Sequence, residues 1–176
     1  SRWNSLPSFS YLQPIMFLPK MPFFIPWIFR DSICRIDSGR EAVYLTFDDG
    51  PTPGETDFVL DALAEFDAKA VFFCLGKNAA LYPHLIHRIL AEGHLIGNHT
   101  QTHANAWKVS RKDWLENVAE GRKVLEQIAG RDIPFFRPPY GKLTIPGYRV
   151  VNANAKVVLW DVISGDLTRN QDDKQG

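Results

Sequence analysis

Cysteine and excess charge are both scarce in this sequence. Only Cys34 and Cys74 occur among the 176 residues, which excludes a fold held together by a disulfide framework. One disulfide between the two cysteines is an alternative. Cys74, however, lies in the apolar stretch 70–75, where a thiol behaves as a small buried hydrophobe. Twenty basic residues balance twenty acidic ones, so no net field attracts nucleic acid or an anionic membrane.

Long apolar runs are also absent, even from the aromatic stretch at residues 1–30. Five prolines interrupt every segment long enough to cross a membrane: Pro7, Pro14, Pro19, Pro22 and Pro26. The stretch also lacks the basic start, apolar middle and small-residue cleavage site of a secretory signal, and the sequence does not begin with methionine. We expect residues 1–40 to form an extended arm whose aromatics lie across the domain or a partner, and residues 41–176 to form one globular domain.

Short apolar runs and amphipathic stretches alternate from residue 41 onward. The pattern predicts strands at 42–47, 70–75, 95–98, 135–136 and 156–160, and helices at 56–66, 82–92 and 111–129. Ser110 is placed to cap the last helix and Gly130 to end it. The predicted apolar face of the first helix consists of Phe58, Val59, Ala62, Leu63 and Phe66. Alternation of this kind predicts parallel strands in an α/β barrel or open sheet, with the chemistry at the carboxyl ends of the strands.

Two adjacent carboxylates, Asp48 and Asp49, end the first predicted strand and are followed at once by Gly50 and Pro51. Adjacent carboxylates repel each other, and burying them costs free energy unless a counterion or hydrogen bonds compensate. Taken alone, the pair also fits a solvated Asp-Gly turn after a strand. Partners elsewhere in the chain must decide between a turn and a reaction centre.

His99 and His103 follow the third predicted strand, four residues apart. On a helical turn this spacing aims both imidazoles at one point. With one carboxylate, either Asp48 or Asp49, they offer a divalent cation three protein ligands and leave a position for water and substrate, as catalytic zinc sites do. The spacing alone also fits two polar residues on a solvated loop.

A stiff loop follows the fourth predicted strand, where Arg137 and two prolines precede Tyr140 and Gly141. A guanidinium held there can pair with a carboxylate and keep it ionised, and a fixed backbone N–H can receive a developing oxyanion. The alternative is a proline-stiffened surface turn with an exposed arginine.

Three motifs stand together in one order and spacing: Thr46-Phe47-Asp48-Asp49-Gly50, the His99-to-His103 run, and Arg137-Pro138-Pro139-Tyr140-Gly141. Because these motifs occur in that order and at those spacings, the chain resembles the NodB-type polysaccharide deacetylases, carbohydrate esterase family four. The resemblance runs from about residue 41 to the end of the sequence. It implies a distorted (β/α)7-type barrel and metal-dependent hydrolysis of acetyl groups, commonly N-acetyl groups on an amino-sugar polymer such as peptidoglycan or chitin.

The resemblance also implies roles for single residues. Asp48 is the general base, oriented by Arg137, and the Tyr140 backbone N–H helps to bind the oxyanion. A divalent metal, usually zinc with cobalt or manganese as alternatives, is held by Asp49, His99 and His103. The resemblance further suggests a substrate in the cell envelope.

Two departures from the family pattern lie near the end of the sequence. Ile163 stands where many members have an aspartate, so Asp166 is the better candidate for a supporting catalytic role, with an ordinary Ser-Gly-Asp turn as the alternative. The family's final Leu-x-His strand, whose histidine is thought to protonate the leaving amine, is missing before Gly176. We therefore expect a barrel that is incomplete at its carboxyl end.

Three other histidines do not replace the missing one: His84 and His87 fall on an outer helix, and His94 precedes its strand at the wrong end. Two alternatives to an N-deacetylase remain: an O-acetyl esterase acting on an acetylated polysaccharide, and a non-catalytic carbohydrate- or metal-binding module. The intact Asp48 favours an enzyme, because a binding module needs no general base. The polymer, the metal and the oligomeric state are not defined by the sequence.

Overall fold

Five parallel strands form one sheet in the computed structural model, which describes residues 25–36, 39 and 42–162. The strands lie side by side in chain order: β1 (Leu45–Asp48), β2 (Ala70–Cys74), β3 (Leu95–Asn98), β4 (Phe135–Phe136) and β5 (Lys156–Val157). The predicted α/β class with a parallel sheet is confirmed. The first strand begins three residues later than predicted, because Val43 and Tyr44 are exposed and only Leu45–Asp48 pair with β2.

Helices connect the strands and pack on the sheet. Their bounds are α1 (Ile25–Ile28), α2 (Glu55–Glu65), α3 (Gly76–Leu81), α4 (Pro83–Ala91), α5 (Arg111–Ala129) and α6 (Ile145–Asn152). The predicted caps of α5 are confirmed: Ser110 Oγ accepts the Asp113 N–H at 3.1 Å, and Gly130 adopts a left-handed φ of 64°. In the described part of the chain, no helix is long and apolar enough to cross a membrane.

Three helices, the short α1 and the longer α3 and α6, have no counterpart in the sequence prediction. The sequence of α6 contains Pro146 and Gly147 in its first turn, which looks like a turn signal. Proline is tolerated there because the first N–H groups of a helix have no intrahelical partner, and Thr144 caps the helix by accepting the Gly147 N–H at 3.2 Å.

The predicted apolar face of α2 is correct only in part, since its members Leu63 and Val59 belong to or pack on the core and its two phenylalanines do not. Leu60 and Leu63 are buried, whereas Phe58 and Phe66 are 73% and 79% exposed. The two phenylalanines line a surface groove of about 320 Å³ beside Leu45 of β1. The periodicity identified a shared helix face, but that face lies along the open edge of the described sheet.

The described sheet is strongly curled. Neighbouring strands lie about 4.8 Å apart, so the edge strands of a flat five-stranded sheet are separated by about 19 Å. The guanidinium of Arg137 nevertheless donates to Thr46 Oγ1 of β1 at 2.7 Å and to the Leu159 carbonyl just beyond β5 at 2.9 Å. The carboxyl ends of the two edge strands therefore approach one side chain, while closure into a (β/α)7-type barrel stays a prediction.

Part of the predicted extended arm is folded. Residues Ile25–Ile28 form one helical turn, where the sequence predicts extended chain. Ile33 bridges in parallel to Val158, and the Phe29 ring lies edge-on to Tyr148 with centroids 4.9 Å apart. The division into an arm over residues 1–40 and a domain over residues 41–176 stays a prediction.

Both cysteines are free thiols in the structure. Cys74 is completely buried in the apolar cluster under β2, and burial raises the pKa of its thiol far above the ordinary value. Its predicted role as a small buried hydrophobe is confirmed, and no disulfide joins it to Cys34.

Candidate metal centre and its surroundings

The predicted site residues converge at the carboxyl ends of three strands. Asp48 is the last residue of β1 and Asp49 follows it, His99 directly follows β3, and Arg137 directly follows β4. This is the edge of a parallel sheet at which loops carrying functional groups meet. The residues are far apart in the sequence, and the parallel register brings them together.

Asp49, His99 and His103 form a compact group of ligand-type atoms. Asp49 Oδ1 lies 3.1 Å from His103 Nε2 and 3.4 Å from His99 Nε2, and one ligand atom of each residue lies within 4.8 Å of the others. His99 is buried, His103 is partly buried, and the Asp49 side chain is 57% exposed. The group is therefore reachable from solvent on its aspartate side.

The hydrogen bond on the far side of His99 fixes its tautomer. Nδ1 lies 2.7 Å from the Arg137 carbonyl oxygen, which only accepts, so Nδ1 donates and carries the proton. In the neutral imidazole the Nε2 lone pair then faces Asp49 Oδ1, and two acceptors cannot bind each other without a proton or a cation between them. Such second-sphere hydrogen bonds orient metal-binding histidines. The donor set thus fits a divalent cation.

The pKa values of Asp49 and His103 are both shifted in the direction that metal binding requires. The adjacent His99 imidazole lowers the pKa of Asp49 below its ordinary value, so the carboxylate stays ionised. Burial lowers the pKa of His103, which favours the neutral imidazole. Both residues are therefore in their ligating forms near neutral pH.

The two histidines lie on a loop, so the predicted helical turn is wrong. Thr100 and His103 have φ values of 71° and 62°, in the left-handed region that a right-handed helix excludes. The imidazoles still approach each other, with ring centroids 5.1 Å apart. The convergence comes from the irregular backbone of this loop.

Helices α3 and α5 hold that loop by its backbone. The N–H groups of Gly76 and Lys77 donate to the Thr100 and Gln101 carbonyls, both at 3.0 Å. On the α5 side, the Gln101 N–H donates to Asn117. A Cβ on Gly121 of α5 would lie 2.5 Å from the Thr100 carbonyl carbon, so only glycine permits this approach.

Asn78 is a site residue that the sequence analysis missed. Its Nδ2 donates to the Asp49 backbone carbonyl at 2.9 Å, and Asp49 has a φ of 68°. A non-glycine residue in this region costs free energy and persists where its surroundings hold it. Asn78 lies in α3, a helix that the sequence pattern does not predict, so the sequence did not indicate a role for Asn78 either.

Arg137 connects Asp48 to the buried interior. Its Nη1 donates to Asp48 Oδ1 at 2.9 Å as well as to Thr46, and the guanidinium lies 4.2 Å above the Phe73 ring. The side chain is only 4% exposed, and burial lowers the pKa of the guanidinium, though it stays protonated beside a carboxylate. The predicted pairing of Arg137 with a carboxylate is confirmed, and the partner is Asp48.

Tyr140 lies at the rim of the site. It occupies a short 3-10 turn, Pro139–Gly141, with a φ of 59°, and its ring centroid is 4.5 Å from that of His103. The first N–H groups of such a turn have no partner within the turn, so the Tyr140 N–H is available to a ligand. Its role in binding an oxyanion stays a prediction.

The remaining histidines have structural environments. His84 and His87 are exposed on α4, and His94 is buried beside Phe72 with ring centroids 5.5 Å apart. Their predicted status as surface or packing residues is confirmed. Asp166 lies outside the described residues.

Parallel strands whose carboxyl ends bring together a candidate metal group and an arginine-paired carboxylate place the chain among α/β proteins with a candidate metal centre at the edge of the sheet. Within that class, the chain belongs to the polysaccharide deacetylase family, whose family model matches residues 35–156. The match begins slightly before the resemblance expected from the motifs. It includes both carboxylates, both histidines and Arg137.

Curated relatives and solved structures agree with this membership. The chain is 38% identical over 139 residues to a peptidoglycan-N-acetylglucosamine deacetylase of Bacillus cereus, covering 74% of this chain and 50% of the relative. It is 37% identical over 130 residues to a chitooligosaccharide deacetylase of Azorhizobium caulinodans, covering 73% of this chain and 62% of the relative. The solved Bc1960 peptidoglycan N-acetylglucosamine deacetylase matches with a TM-score of 0.72 at 34% identity, covering 78% of this chain and 64% of that one. The chain thus spans about half to two thirds of these proteins' lengths.

Proposed function

We propose that the chain is a metal-dependent hydrolase that removes acetyl groups from N-acetylated amino sugars of a polysaccharide of the peptidoglycan or chitin type. The observation that carries the proposal is the convergence of Asp49 Oδ1 with the Nε2 atoms of His99 and His103, next to the arginine-paired Asp48. The names of the relatives support N-linked acetyl groups as the target of the reaction. One relative is named for the deacetylation of N-acetylglucosamine in peptidoglycan, and another for the deacetylation of chitooligosaccharides.

Asp49, His99 and His103 would hold the divalent cation, and zinc fits two imidazoles and one carboxylate. When bound, zinc supplies Lewis acidity, which polarises the acetyl carbonyl and makes water more acidic. Asp48 accepts the proton from the attacking water. Arg137 fixes the orientation of Asp48, because the same guanidinium nitrogen donates to Asp48 Oδ1 and to Thr46 Oγ1.

The backbone N–H of Tyr140 donates a hydrogen bond to the oxygen of the acetyl carbonyl as negative charge develops there. A rigid donor is effective in this role because it needs no reorientation during the reaction. The turn around Tyr140 is rigid: the Gly141 N–H donates to the Pro138 carbonyl at 3.1 Å, and the Trp160 ring packs against Gly141.

Acetate release tests the proposal. With one equivalent of Zn²⁺, the wild-type chain is expected to release acetate from chitopentaose and from peptidoglycan. Asp48→Asn should lower the rate by at least about 100-fold, because a general base is lost, while zinc content stays at one per chain. Arg137→Ala should also weaken turnover without abolishing zinc binding.

Two results would contradict the proposal. Acetate release that is unchanged in Asp48→Asn would exclude the assigned base. Release from acetylxylan but from neither amino-sugar polymer would replace the N-deacetylase by an O-acetyl esterase.

A further inference from the structure

Trp107 is an exposed aromatic side chain with an unusual orientation. Its Nε1–H donates to the Leu143 carbonyl at 3.3 Å, while the side chain as a whole is 66% exposed. A surface tryptophan ordinarily gains from turning its N–H toward water and its apolar ring toward the protein. Here the polar atom is bonded to the protein and much of the apolar ring faces solvent.

The backbone around Trp107 holds the ring in place. The nearly buried Asn105 accepts the Trp107 N–H through Oδ1 at 2.9 Å, and its carbonyl accepts the Lys108 N–H at the same distance. This Asx-type turn begins two residues after His103. The ring is therefore fixed by the loop that also carries a candidate metal ligand.

A continuous set of contacts joins Trp107 to the candidate metal centre. The Lys142 ammonium lies 5.1 Å from the Trp107 ring centroid and 5.7 Å from that of Tyr140, which is 60% exposed and touches His103. Two exposed rings and one cation thus form a platform beside the site. Exposed apolar surface adjoining a polar site is typical of a ligand contact.

Lys142 gives the platform a charge. Among the ion pairs of the described residues none involves Lys142, so its ammonium is free to meet a negative group of a ligand. Its contact with two ring faces fixes its position, since a ring attracts a cation within about 6 Å of its centroid. Pyranose rings stack on aromatic faces through their C–H groups, and a carboxylate on the sugar would reach the ammonium.

We propose that Trp107, Tyr140 and Lys142 form a saccharide subsite beside the candidate metal centre, in which the rings stack on a sugar and Lys142 selects glycans that carry a carboxylate. The inference rests on the proposed function for its choice of saccharide ligands. Trp107 and Lys142 act as specificity-determining residues, outside the groups assigned to bond cleavage.

Binding to the metal-free protein tests the subsite separately from turnover. Calorimetric titrations would compare chitopentaose, which is neutral, with a peptide-free peptidoglycan glycan strand, in which alternate sugars carry a lactyl carboxylate. Trp107→Ala should weaken binding of both ligands by about 10-fold, and Trp107→Phe should retain most of the affinity. Trp27→Ala, which removes another exposed indole, is the matched control and should change neither.

The charge selectivity has its own comparison. Lys142→Gln should weaken binding of the carboxylate-bearing strand by about threefold and leave chitopentaose unchanged, and about 1 M NaCl should remove the difference. Lys112→Gln is the matched control, because Lys112 is an exposed lysine of α5. Equal weakening of both ligands by Lys142→Gln would overturn the selectivity.

Unchanged binding in Trp107→Ala, or equal losses in Trp107→Ala and Trp107→Phe, would overturn the stacking role. These outcomes differ from failure of the proposed function. A wild-type chain that binds both glycans through Trp107 but releases no acetate would reject the hydrolase and support the subsite. Normal acetate release with unchanged binding in Trp107→Ala would reject the subsite alone.

Discussion

The two ends of strand β3 carry one buried histidine each, and their hydrogen bonds are opposite. At the amino end, His94 Nδ1 lies 3.3 Å from the Ala70 backbone N–H and must accept. At the carboxyl end, His99 Nδ1 lies 2.7 Å from the Arg137 carbonyl and must donate. The side chains are 3% and 2% exposed, so burial does not distinguish them.

The opposite bonds give the two rings different chemistry. His94, in its neutral form, carries its proton on Nε2 and uses its lone pair on the backbone, so it has nothing left for a metal. His99 carries its proton on Nδ1 and presents the Nε2 lone pair to Asp49 and His103. We infer that the backbone atom behind each ring separates the packing histidine, His94, from the proposed ligand, His99.

The largest expected difference between the two ends concerns zinc affinity. His99→Ala should weaken zinc binding by more than about 100-fold, which exceeds the loss typical of residues that only support a ligand. His94→Ala should leave zinc affinity within about twofold, because its lone pair is used elsewhere. Competition titration with a chelating dye measures both; equal losses in the two variants would remove the distinction.

A second substitution acts on the backbone around His99 without changing a ligand. Gly121→Ala places a Cβ against the Thr100 carbonyl carbon and the Gln101 nitrogen, at 2.5 and 2.7 Å, so the histidine loop must move. Zinc affinity should fall by about 10- to 100-fold. Glu120→Ala, one residue earlier on the same helix, is the control, since Glu120 is exposed. Unchanged affinity in Gly121→Ala would show that the loop position is not critical.

At the amino end, the expected effect is on stability. His94→Ala leaves the buried Ala70 N–H without a partner and removes a ring packed on Phe72, so the free energy of unfolding should fall by about 2–4 kcal/mol. The exposed His84→Ala should change it by less than about 0.5 kcal/mol. Urea unfolding of the metal-free variants measures both values, and a similar stability for the two would contradict the packing role.

The smallest expected effect is the pH dependence that His94 adds. Burial lowers the pKa of His94, so below about pH 6.5 the unfolded chain takes up a proton that the folded protein does not. The free energy of unfolding should therefore decrease as the pH falls below about 6.5, by at most about 1.4 kcal/mol per pH unit for this proton, until the pH passes the lower pKa of the folded state.

The pH effect is measured as a difference between two proteins. His94→Asn removes the titrating group and should show a shallower loss of stability between pH 7 and 5. His103 has a lowered pKa as well, but it is present in both proteins and cancels. Parallel curves for the two proteins would show that His94 does not contribute.

Much of this site could be predicted from the sequence because its signals are local. Asp48, Asp49, His99 and Arg137 each follow an apolar strand, and parallel strands bring their carboxyl ends together. The long helix α5 could be predicted to the residue, since Ser110 and Gly130 mark its ends with known capping geometry.

Other features depend on tertiary contacts that leave no periodic pattern. The His99 loop takes left-handed φ values at non-glycine residues, and only its contacts with α3 and α5 make that conformation favourable. Asn78 acts on a backbone carbonyl 29 residues earlier, a contact that no spacing in the sequence indicates. The exposure of Phe58 and Phe66 on α2 could not be predicted, because apolar periodicity marks a shared helix face but not what covers it.

X-ray absorption at the zinc edge tests the central claim most directly. For the chain loaded with one equivalent of zinc, we predict two imidazole nitrogens at about 2.0–2.1 Å with oxygen in the remaining positions, and loss of one imidazole in His99→Ala but not in His94→Ala. A spectrum that contains a sulfur ligand, or one in which the His94 variant loses an imidazole and the His99 variant does not, would contradict the account.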